Sequence, residues 1–320
     1  ASIIHDNVKK ILLENLNKSM TLQELRNYIY SLIQNEINKI NIEVKIGMAF
    51  PIGLNGDCVV AHYTPTKISN ALKYNLPYYL NPDTPISSFN ILKIDYGIHI
   101  DGNIIDKAFT LNISNGELEE ILISASQEAV TKIKREIGVD ARLNELAELS
   151  TEIVKSYEYN DKPLNIVKNV YSHNINQWEI HGNKFIKPDY KAYDEDLKVN
   201  AGEQYAIEIY ATNGIGEGVL VPNRIVHSHY KLKNSEPKLF ENDNINSLLS
   251  YAKHKFDLLP FCPNQFINFK LSKKNVSHQK IVSLCQELQS LNQIESYPPI
   301  VELDSSSFVS QIEENIIIVD

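Results

Sequence analysis

Two aspartates, Asp95 and Asp106, lie on the two arms of the clearest hairpin pattern in the sequence, residues 91–113. Asp101-Gly102 is the dipeptide that a two-residue type I′ turn prefers, and it divides this segment into two strand-like runs. If these two residues form the turn, the two aspartates fall on the same face as diagonal neighbours, roughly 7–8 Å apart. The pattern therefore predicts a close pair of carboxylates.

Such a pair of carboxylates predicts a metal site. Held among Ile, Leu and Phe, the two acids would repel each other and would be costly to bury alone, and a divalent cation between them removes this cost. The alternative for an arbitrary hairpin is a solvated face with two harmless aspartates. Gly97, which would lie opposite Asp106, favours the metal site because a missing side chain leaves room above the pair for a bound species.

Further acidic and imidazole side chains could complete this site. Glu208 stands among apolar and aromatic residues in a run that predicts a strand, where a glutamate is usually paired or a ligand. Glu313 and Glu314 are adjacent in a closing run, and the pattern leaves open which one points inward. His173 alone would more often be a structural hydrogen bonder. Together, two Asp, two Glu and one His form an oxygen-rich set that suits Mn, Fe or Co and argues against a structural zinc site.

The elements that must position these residues include several helices. Apolar residues at helical spacing predict two helices before residue 40, and the pair Thr21 and Glu24 forms a capping box at the start of the second. Amphipathic stripes predict helices at about 117–137 and 142–157, and the region 240–292 is again largely helical.

Strand patterns are expected at about 204–211 and from Ser306 to Val319, besides the hairpin. The stretch 64–90 is rich in Pro, Asn and Tyr and predicts a surface excursion. Antiparallel strands alternating with groups of helices indicate an α+β fold. Because the sequence has no internal repeat and no low-complexity linker, we expect one compact domain with an inserted lobe.

Composition limits the partners and the compartment. With 320 residues, 43% of them hydrophobic, the chain can bury a large core, and no stretch approaches the ~18–20 apolar residues of a membrane span. The start shows no secretory signal. A net charge of −9 argues against nucleic acid as the main partner. Three scattered cysteines are too few for a disulfide framework, so a cytoplasmic location is expected; they are Cys58, Cys262 and Cys285.

Several motifs recur in one order along the chain. They are AFPIGLNGDCVVAHYTP, KIDYGIHIDGNIIDKAFT, IHGNK, AIEIYAT followed by a GxG, SHYK, LPFC, SYPP and QIE. In this order the sequence resembles the type 2 methionine aminopeptidases, from about residue 6 to residue 319. The resemblance implies the "pita-bread" fold, an antiparallel sheet flanked by helices with a type 2 helical insertion.

The resemblance also implies a dinuclear centre of two divalent metal ions, Co, Mn, Fe or Zn. Its QIE motif selects Glu313 over Glu314. The implied metal ligands are Asp95, Asp106, His173, Glu208 and Glu313. The implied catalytic residues are His62, His181 and Glu208. The implied substrate-binding residues are Phe50, His62, His181, His229 and Tyr297, with Pro260 or its neighbours closing the pocket.

The implied activity is removal of the initiator methionine from nascent proteins and peptides. A single catalytic domain over 1–320, with a helical subdomain inserted at 230–296, is expected. The expected partners are N-terminal methionine peptides, with proximity to the ribosome, no membrane and no specific nucleic acid, and a monomeric state.

Four positions depart from the family's usual residues, and the loop between His62 and Asp95 is longer than expected. The departures are Tyr171, Ser172, Ile209 and Glu314. Two alternatives share the fold: a non-catalytic binding protein of the proliferation-associated kind, and an Xaa-Pro metallopeptidase. Retention of all five ligands disfavours the first, and the AHYTP, SYPP and insertion segments disfavour the second.

Overall fold

The computed structural model describes residues 1–41, 43–66, 75–188, 197–233, 239–266, 269–271 and 274–319. Within these ranges the helices are α1 (Ser2–Asn15), α2 (Leu22–Asn38), α3 (Glu117–Glu136), α4 (Leu143–Lys155), α5 (Asp243–Phe256) and α6 (His278–Ser290). No helix in the described part of the chain has the length and apolar character that crossing a membrane requires.

The strands up to residue 175 are β1 (Ile46–Met48), β2 (Gly53–Gly56), β3 (Val59–Ala61), β4 (Ile91–Ile100), β5 (Asn103–Asn112), β6 (Glu158–Tyr159), β7 (Lys162–Pro163), β8 (Asn165–Ile166) and β9 (Ser172–Ile175). The later strands are β10 (Phe185–Ile186), β11 (Gln204–Thr212), β12 (Gly218–Leu220), β13 (His229–Leu232), β14 (Lys270–Leu271), β15 (Lys274–Asn275), β16 (Ile294–Tyr297), β17 (Ile300–Glu302) and β18 (Val309–Ile317).

A nine-stranded antiparallel sheet organises the chain. Its order is β1-β4-β5-β18-β11-β9-β10. In addition, β2 pairs with the part of β4 that β1 does not cover, and β8 pairs with β11. The central hairpin β4–β5 has the expected register, since Gly97 pairs with Asp106 and Asp95 with Ala108. Asp101 and Gly102 have φ of 49° and 77°, as a type I′ turn requires.

Helices α1 to α4 cover one face of this sheet. Ile94 on β4 and Phe109 on β5 are buried with the apolar stripes of α1 and α2. Ile312 on β18 and Ile209 on β11 point the same way and are buried with α3 and α4. Because side chains alternate between the faces of a strand, the residues between these apolar positions face away from the helices. That second face carries the candidate site.

The capping box at the start of α2 is present as expected. The Glu24 amide donates to Thr21 Oγ1 at 3.2 Å, and the Thr21 amide donates to Glu24 Oε2 at 2.8 Å. These two bonds satisfy donors that the first turn of a helix leaves unpaired, so the sequence fixes this boundary locally.

The expected surface excursion at 64–90 is only partly correct. Leu80, Ile86 and Phe89 are buried in the core that α1 and α2 share with the sheet. Apolar side chains therefore anchor the later part of this stretch, while residues 67–74 lie outside the described residues.

Helices α5 and α6 pack around a core of their own. Leu248, Phe256 and Leu284 are buried with Phe261 and with Tyr230 of β13. The partner of β13 is β16, and the next strand, β17, pairs with β12 and β3 in a separate three-stranded sheet. The boundaries 230–296 for an inserted subdomain stay a prediction.

Candidate metal and substrate site

Strand register brings the acidic residues together. Asp95 pairs with Ala108, Ala108 with Glu313, and Glu313 with Glu208, across β4, β5, β18 and β11. Paired residues share a face of the sheet, and Asp106 shares it too because it lies two positions from Ala108 on β5. Four carboxylates therefore project from one face.

His173 joins them from the next strand. On β9 it pairs with Ala206, two residues before Glu208 on the same face of β11. Its Nε2 lies 3.9 Å from Asp106 Oδ2 and 4.0 Å from Glu208 Oε1. Its Nδ1 lies 3.2 Å from the Asn174 carbonyl oxygen. Because a carbonyl oxygen can only accept, Nδ1 carries the proton and donates this hydrogen bond, which leaves the lone pair of Nε2 directed at the carboxylates.

The ligand atoms are close enough to share a cation. One atom each from Asp106, His173 and Glu313 lie within 4.8 Å of one another, and all three residues are buried. Gln311 links this group to Asp95, since its Nε2 donates to Asp95 Oδ2 and to Glu313 Oε2, both at 3.3 Å.

Burial makes this group of acids hard to ionise. Loss of solvent raises the pKa of Asp95 to about 7 and that of Glu208 to about 8. Burial raises the pKa of Asp106 and of Glu313 well above the ordinary range, and repulsion from the neighbouring carboxylates adds to the shift. Burial also lowers the pKa of His173 to about 4, so its ring is neutral at physiological pH. No cationic side chain in the described ranges pairs with these four acids.

The residues fit a divalent cation. Asp95 Oδ1 and Asp106 Oδ1 are buried and have no hydrogen-bond partner among the described residues. An unsatisfied buried oxygen is costly, and a cation would satisfy both. Oxygen donors with one neutral imidazole are a set that divalent transition metals accept.

Imidazole and aromatic rings surround the carboxylates. The His181 ring lies 4.4 Å from the His173 ring and 6.2 Å from the Tyr297 ring, centre to centre. The His62 ring lies 5.6 Å from that of Tyr297 and 5.9 Å from that of His229. The His62 side chain lines the cavity, and its Nδ1 is buried with no hydrogen-bond partner among the described residues.

The backbone of His62 and the tautomer of His229 are both fixed locally. His62 has φ of 65°, in the left-handed region that residues other than Gly rarely adopt and that is often associated with functional sites. Thr64 Oγ1 donates to the Ile52 carbonyl at 2.7 Å, so its hydroxyl accepts from His229 Nε2 at 2.5 Å. This assigns the His229 proton to Nε2.

All of the site residues predicted from the sequence line one cavity. They are Phe50, His62, Asp95, Asp106, His173, His181, Glu208, His229, Pro260, Tyr297 and Glu313. The same cavity is lined by residues that the sequence prediction did not include, among them Ile180 and Tyr210. Tyr210 stands two positions from Glu208 on β11, and this i, i+2 spacing is the signal that could have found it.

The prediction that Gly97 leaves room for a bound species is wrong. A Cβ at this position would lie 2.3 Å from Phe50 Cε1 and 3.0 Å from Ala49 Cβ. The ring of Phe50 fills the space, so Gly97 allows an aromatic wall of the cavity to pack against the sheet.

Two of the departures from the family pattern have clear positions. Ser172 Oγ donates to the Glu208 carbonyl at 2.9 Å and accepts from the Glu208 amide at 3.0 Å, so it holds the backbone of this acid. Glu314 points to the helix side, where its Oε2 lies 3.8 Å from Lys107 Nζ and 3.9 Å from Lys134 Nζ. This outward direction agrees with the selection of Glu313 as the inward acid.

Comparisons with known proteins agree with this architecture. The chain is 29% identical over 330 residues to methionine aminopeptidase 2 of Sclerotinia sclerotiorum, covering 99% of this chain and 67% of that protein. It is 30% identical to methionine aminopeptidase 2 of Komagataella phaffii over 332 residues, covering 98% of this chain and 65% of that protein. The chain thus spans about two thirds of the length of these relatives. The resemblance to type 2 methionine aminopeptidases is confirmed.

Solved structures show the same fold. A thermophilic Arx1 superposes with a TM-score of 0.79 at 15% identity, covering 100% of this chain and 86% of that one. A methionine aminopeptidase of Thermotoga maritima superposes with a TM-score of 0.59 at 13% identity, covering 99% and 88%. The predicted α+β pita-bread fold is confirmed.

The family itself follows from a match to a family model. Residues 1–228 match Peptidase_M24, metallopeptidase family M24, and this segment contains four of the five predicted ligands. The predicted metallopeptidase class is therefore confirmed, and the chain belongs to metallopeptidase family M24.

Proposed function

We propose that this protein is a methionyl aminopeptidase of type 2, which removes the N-terminal methionine from nascent proteins and peptides. The observation that carries the proposal is the cavity in which four carboxylates, two of them buried and two half-buried, and a neutral imidazole meet a wall of aromatic and apolar side chains. Metal-assisted peptide hydrolysis uses a group of the first kind, and a wall of the second kind suits a thioether side chain.

The proposal includes two divalent cations, which are Co, Mn, Fe or Zn. Four ionised carboxylates carry four negative charges, and two divalent ions balance them. Asp95, Asp106, His173, Glu208 and Glu313 would hold these ions. When bound, divalent cations lower the pKa of water from about 15.7 towards 7 and polarise a carbonyl group.

Three residues of the chain would handle the proton and the developing charge. Glu208 accepts the proton of the attacking water and passes it to the leaving amine. His181, whose pKa burial holds well below the usual range, is neutral and donates an N–H to the carbonyl oxygen as charge develops there. His62, which lines the cavity, contacts the scissile amide or the leaving group.

The apolar part of the cavity would select methionine. Phe50, Ile180, Pro260 and Tyr297 form walls that suit an unbranched side chain, and a sulfur atom makes favourable contacts with the two aromatic rings. The α-amino group of the substrate would lie against the carboxylates, which restricts cleavage to the chain terminus.

The decisive experiment is peptide cleavage by metal-loaded protein. We expect release of free methionine from Met-Ala-Ser after addition of Co²⁺, Mn²⁺, Fe²⁺ or Zn²⁺, with no cleavage of an Xaa-Pro peptide. The variant Asp95→Asn should fold and should lose this turnover, because it removes a charged ligand.

Each alternative predicts a different result in the same assay. Cleavage of the Xaa-Pro peptide alone would identify an Xaa-Pro metallopeptidase. Protein that neither binds metal nor cleaves either peptide would identify a non-catalytic binding protein.

The remaining partners belong to the same proposal. An enzyme that acts on nascent chains works in the cytoplasm, close to the ribosome, and needs no specific nucleic acid. The three cysteines are free and buried, which is compatible with a reducing compartment. The proposed monomeric state is tested by light scattering of the purified protein.

A further inference from the structure

Tyr210 makes a short hydrogen bond to the proposed catalytic acid. Its hydroxyl donates to Glu208 Oε2 at 2.6 Å. Both residues lie on β11, two positions apart, so both side chains stand on the face of the sheet that carries the cavity. Tyr210 is 3% exposed and lines that cavity beside the carboxylates.

The two carboxylate oxygens of Glu208 have different neighbours. Oε1 faces the metal-binding group, 4.0 Å from His173 Nε2, while Oε2 accepts the bond from Tyr210. A carboxylate without this bond could rotate and exchange its oxygens. With it, one oxygen is kept towards the place where a cation would bind.

Neighbouring residues fix both the ring of Tyr210 and the backbone of Glu208. The ring of Tyr210 is packed among apolar side chains that fix its direction; these are Val60, Ala61, Val167, Ile300 and Val309. The backbone of Glu208 is held from the other side by the two bonds to Ser172 Oγ. The carboxylate of Glu208 is therefore oriented by neighbours on two strands.

We propose that Tyr210 is a positioning residue, which holds the Glu208 carboxylate in the orientation that binds a divalent cation and accepts a proton from water. This inference rests on the proposed function and deepens it. A residue that hydrogen-bonds a metal ligand typically changes metal affinity or activity by ~10–100-fold when it is removed.

The test is Tyr210→Phe, which keeps the ring and removes only the hydroxyl. Titration calorimetry of Mn²⁺ into metal-free protein should show an affinity ~10–100-fold weaker than that of the wild type. In the Met-Ala-Ser assay, kcat should fall by a similar factor while KM changes little, because the hydroxyl is bonded to Glu208 and not to the substrate.

A matched control lies on the same strand. Tyr205 is also buried, and its hydroxyl donates to Glu203 Oε2 at 2.8 Å, again two positions away. Tyr205 packs on the helix side of the sheet. Tyr205→Phe should therefore leave both the Mn²⁺ affinity and kcat at the wild-type level, even where it lowers the melting temperature.

A double-mutant cycle separates positioning from general packing. In the Glu208→Gln background, Tyr210→Phe should weaken Mn²⁺ binding no further, because the partner whose orientation it controls is gone. An equal loss in both backgrounds, or wild-type Mn²⁺ affinity and kcat in Tyr210→Phe, would overturn the inference. Wild-type protein that binds Mn²⁺ but releases no methionine would instead overturn the proposed function, and the affinity comparison would still stand.

Discussion

At the scale of the residue, the imidazole of His181 is placed to act on charge that develops during the reaction. Its ring lies edge-on to that of His173, 4.4 Å between ring centres, in the cavity that the carboxylates line. We expect His181→Ala to lower kcat by ~10²–10³, the usual loss for one donor to a developing oxyanion. Steady-state kinetics on Met-Ala-Ser tests this. A change in KM alone would assign His181 to substrate binding.

Glu208 should make the stability of the metal-free protein depend on pH. Burial raises its pKa from 4.5 to about 8, so the folded state keeps a proton that the unfolded state loses. The cost of ionising it is therefore absent below about pH 4.5 and complete above about pH 8. Glu208→Gln removes this cost, and its stability relative to the wild type should rise across that window.

Denaturant unfolding of both proteins at several pH values measures this difference. At about 1.4 kcal/mol for each unit of pKa shift, the gain should reach a few kcal/mol. Repulsion from Glu208 also raises the pKa values of Asp106 and Glu313, so its removal eases their ionisation and acts in the same direction. If the difference in the free energy of unfolding between the two proteins stays constant from pH 4 to pH 8, the pKa of Glu208 is not raised in the metal-free protein.

At the scale of the element, the hairpin is the part that the sequence predicts best. Asp101-Gly102 fixes the turn, and the turn fixes every pair down to the two aspartates. The capping box of α2 is equally local. What fills the space above Gly97 is not local, because Phe50 reaches it from a distant segment. Pattern alone likewise could not choose between Glu313 and Glu314, since that choice depends on which face of β18 meets the helices.

The contact between β4 and Phe50 should control the shape of the substrate cavity. In Gly97→Ala the new methyl group would overlap the Phe50 ring, at 2.3 Å from Cε1, and would push the ring into the cavity. We expect a loss of ~1–3 kcal/mol in stability, typical of overpacking, and a higher KM for Met-Ala-Ser. Adding Phe50→Leu should restore part of the stability. A wild-type KM in Gly97→Ala would mean that the Phe50 ring does not contribute to substrate binding.

At the scale of the whole molecule, the site joins strands that are far apart along the chain. The five proposed ligands lie on β4, β5, β9, β11 and β18, and the last of these is close to the C-terminal end of the sequence. Helices cover one face of the sheet, and the repelling acids meet on the other. The packing of the helices must therefore hold the acids together against their repulsion when no cation is bound. The pairing within a hairpin can be read from a sequence, but the order in which distant strands pair cannot. The resemblance supplied the list of five ligands, and the strand order comes from the structure.

Removal of metal should therefore weaken the whole fold and not only the site. A ligand that binds only the folded state stabilises it by about 2.7 kcal/mol at 100 times its Kd. We expect calorimetry to show a lower melting temperature in a chelator than in Mn²⁺. The gap should widen as pH rises towards 8, because burial raises the pKa values of Asp95 and Glu208 to about 7 and about 8, and the metal-free protein then contains unbalanced charge. Asp95→Asn should show a smaller gap, since it has lost one ligand and one of the repelling charges. Equal melting temperatures with and without metal would mean that these five strands are not held together by a shared cation.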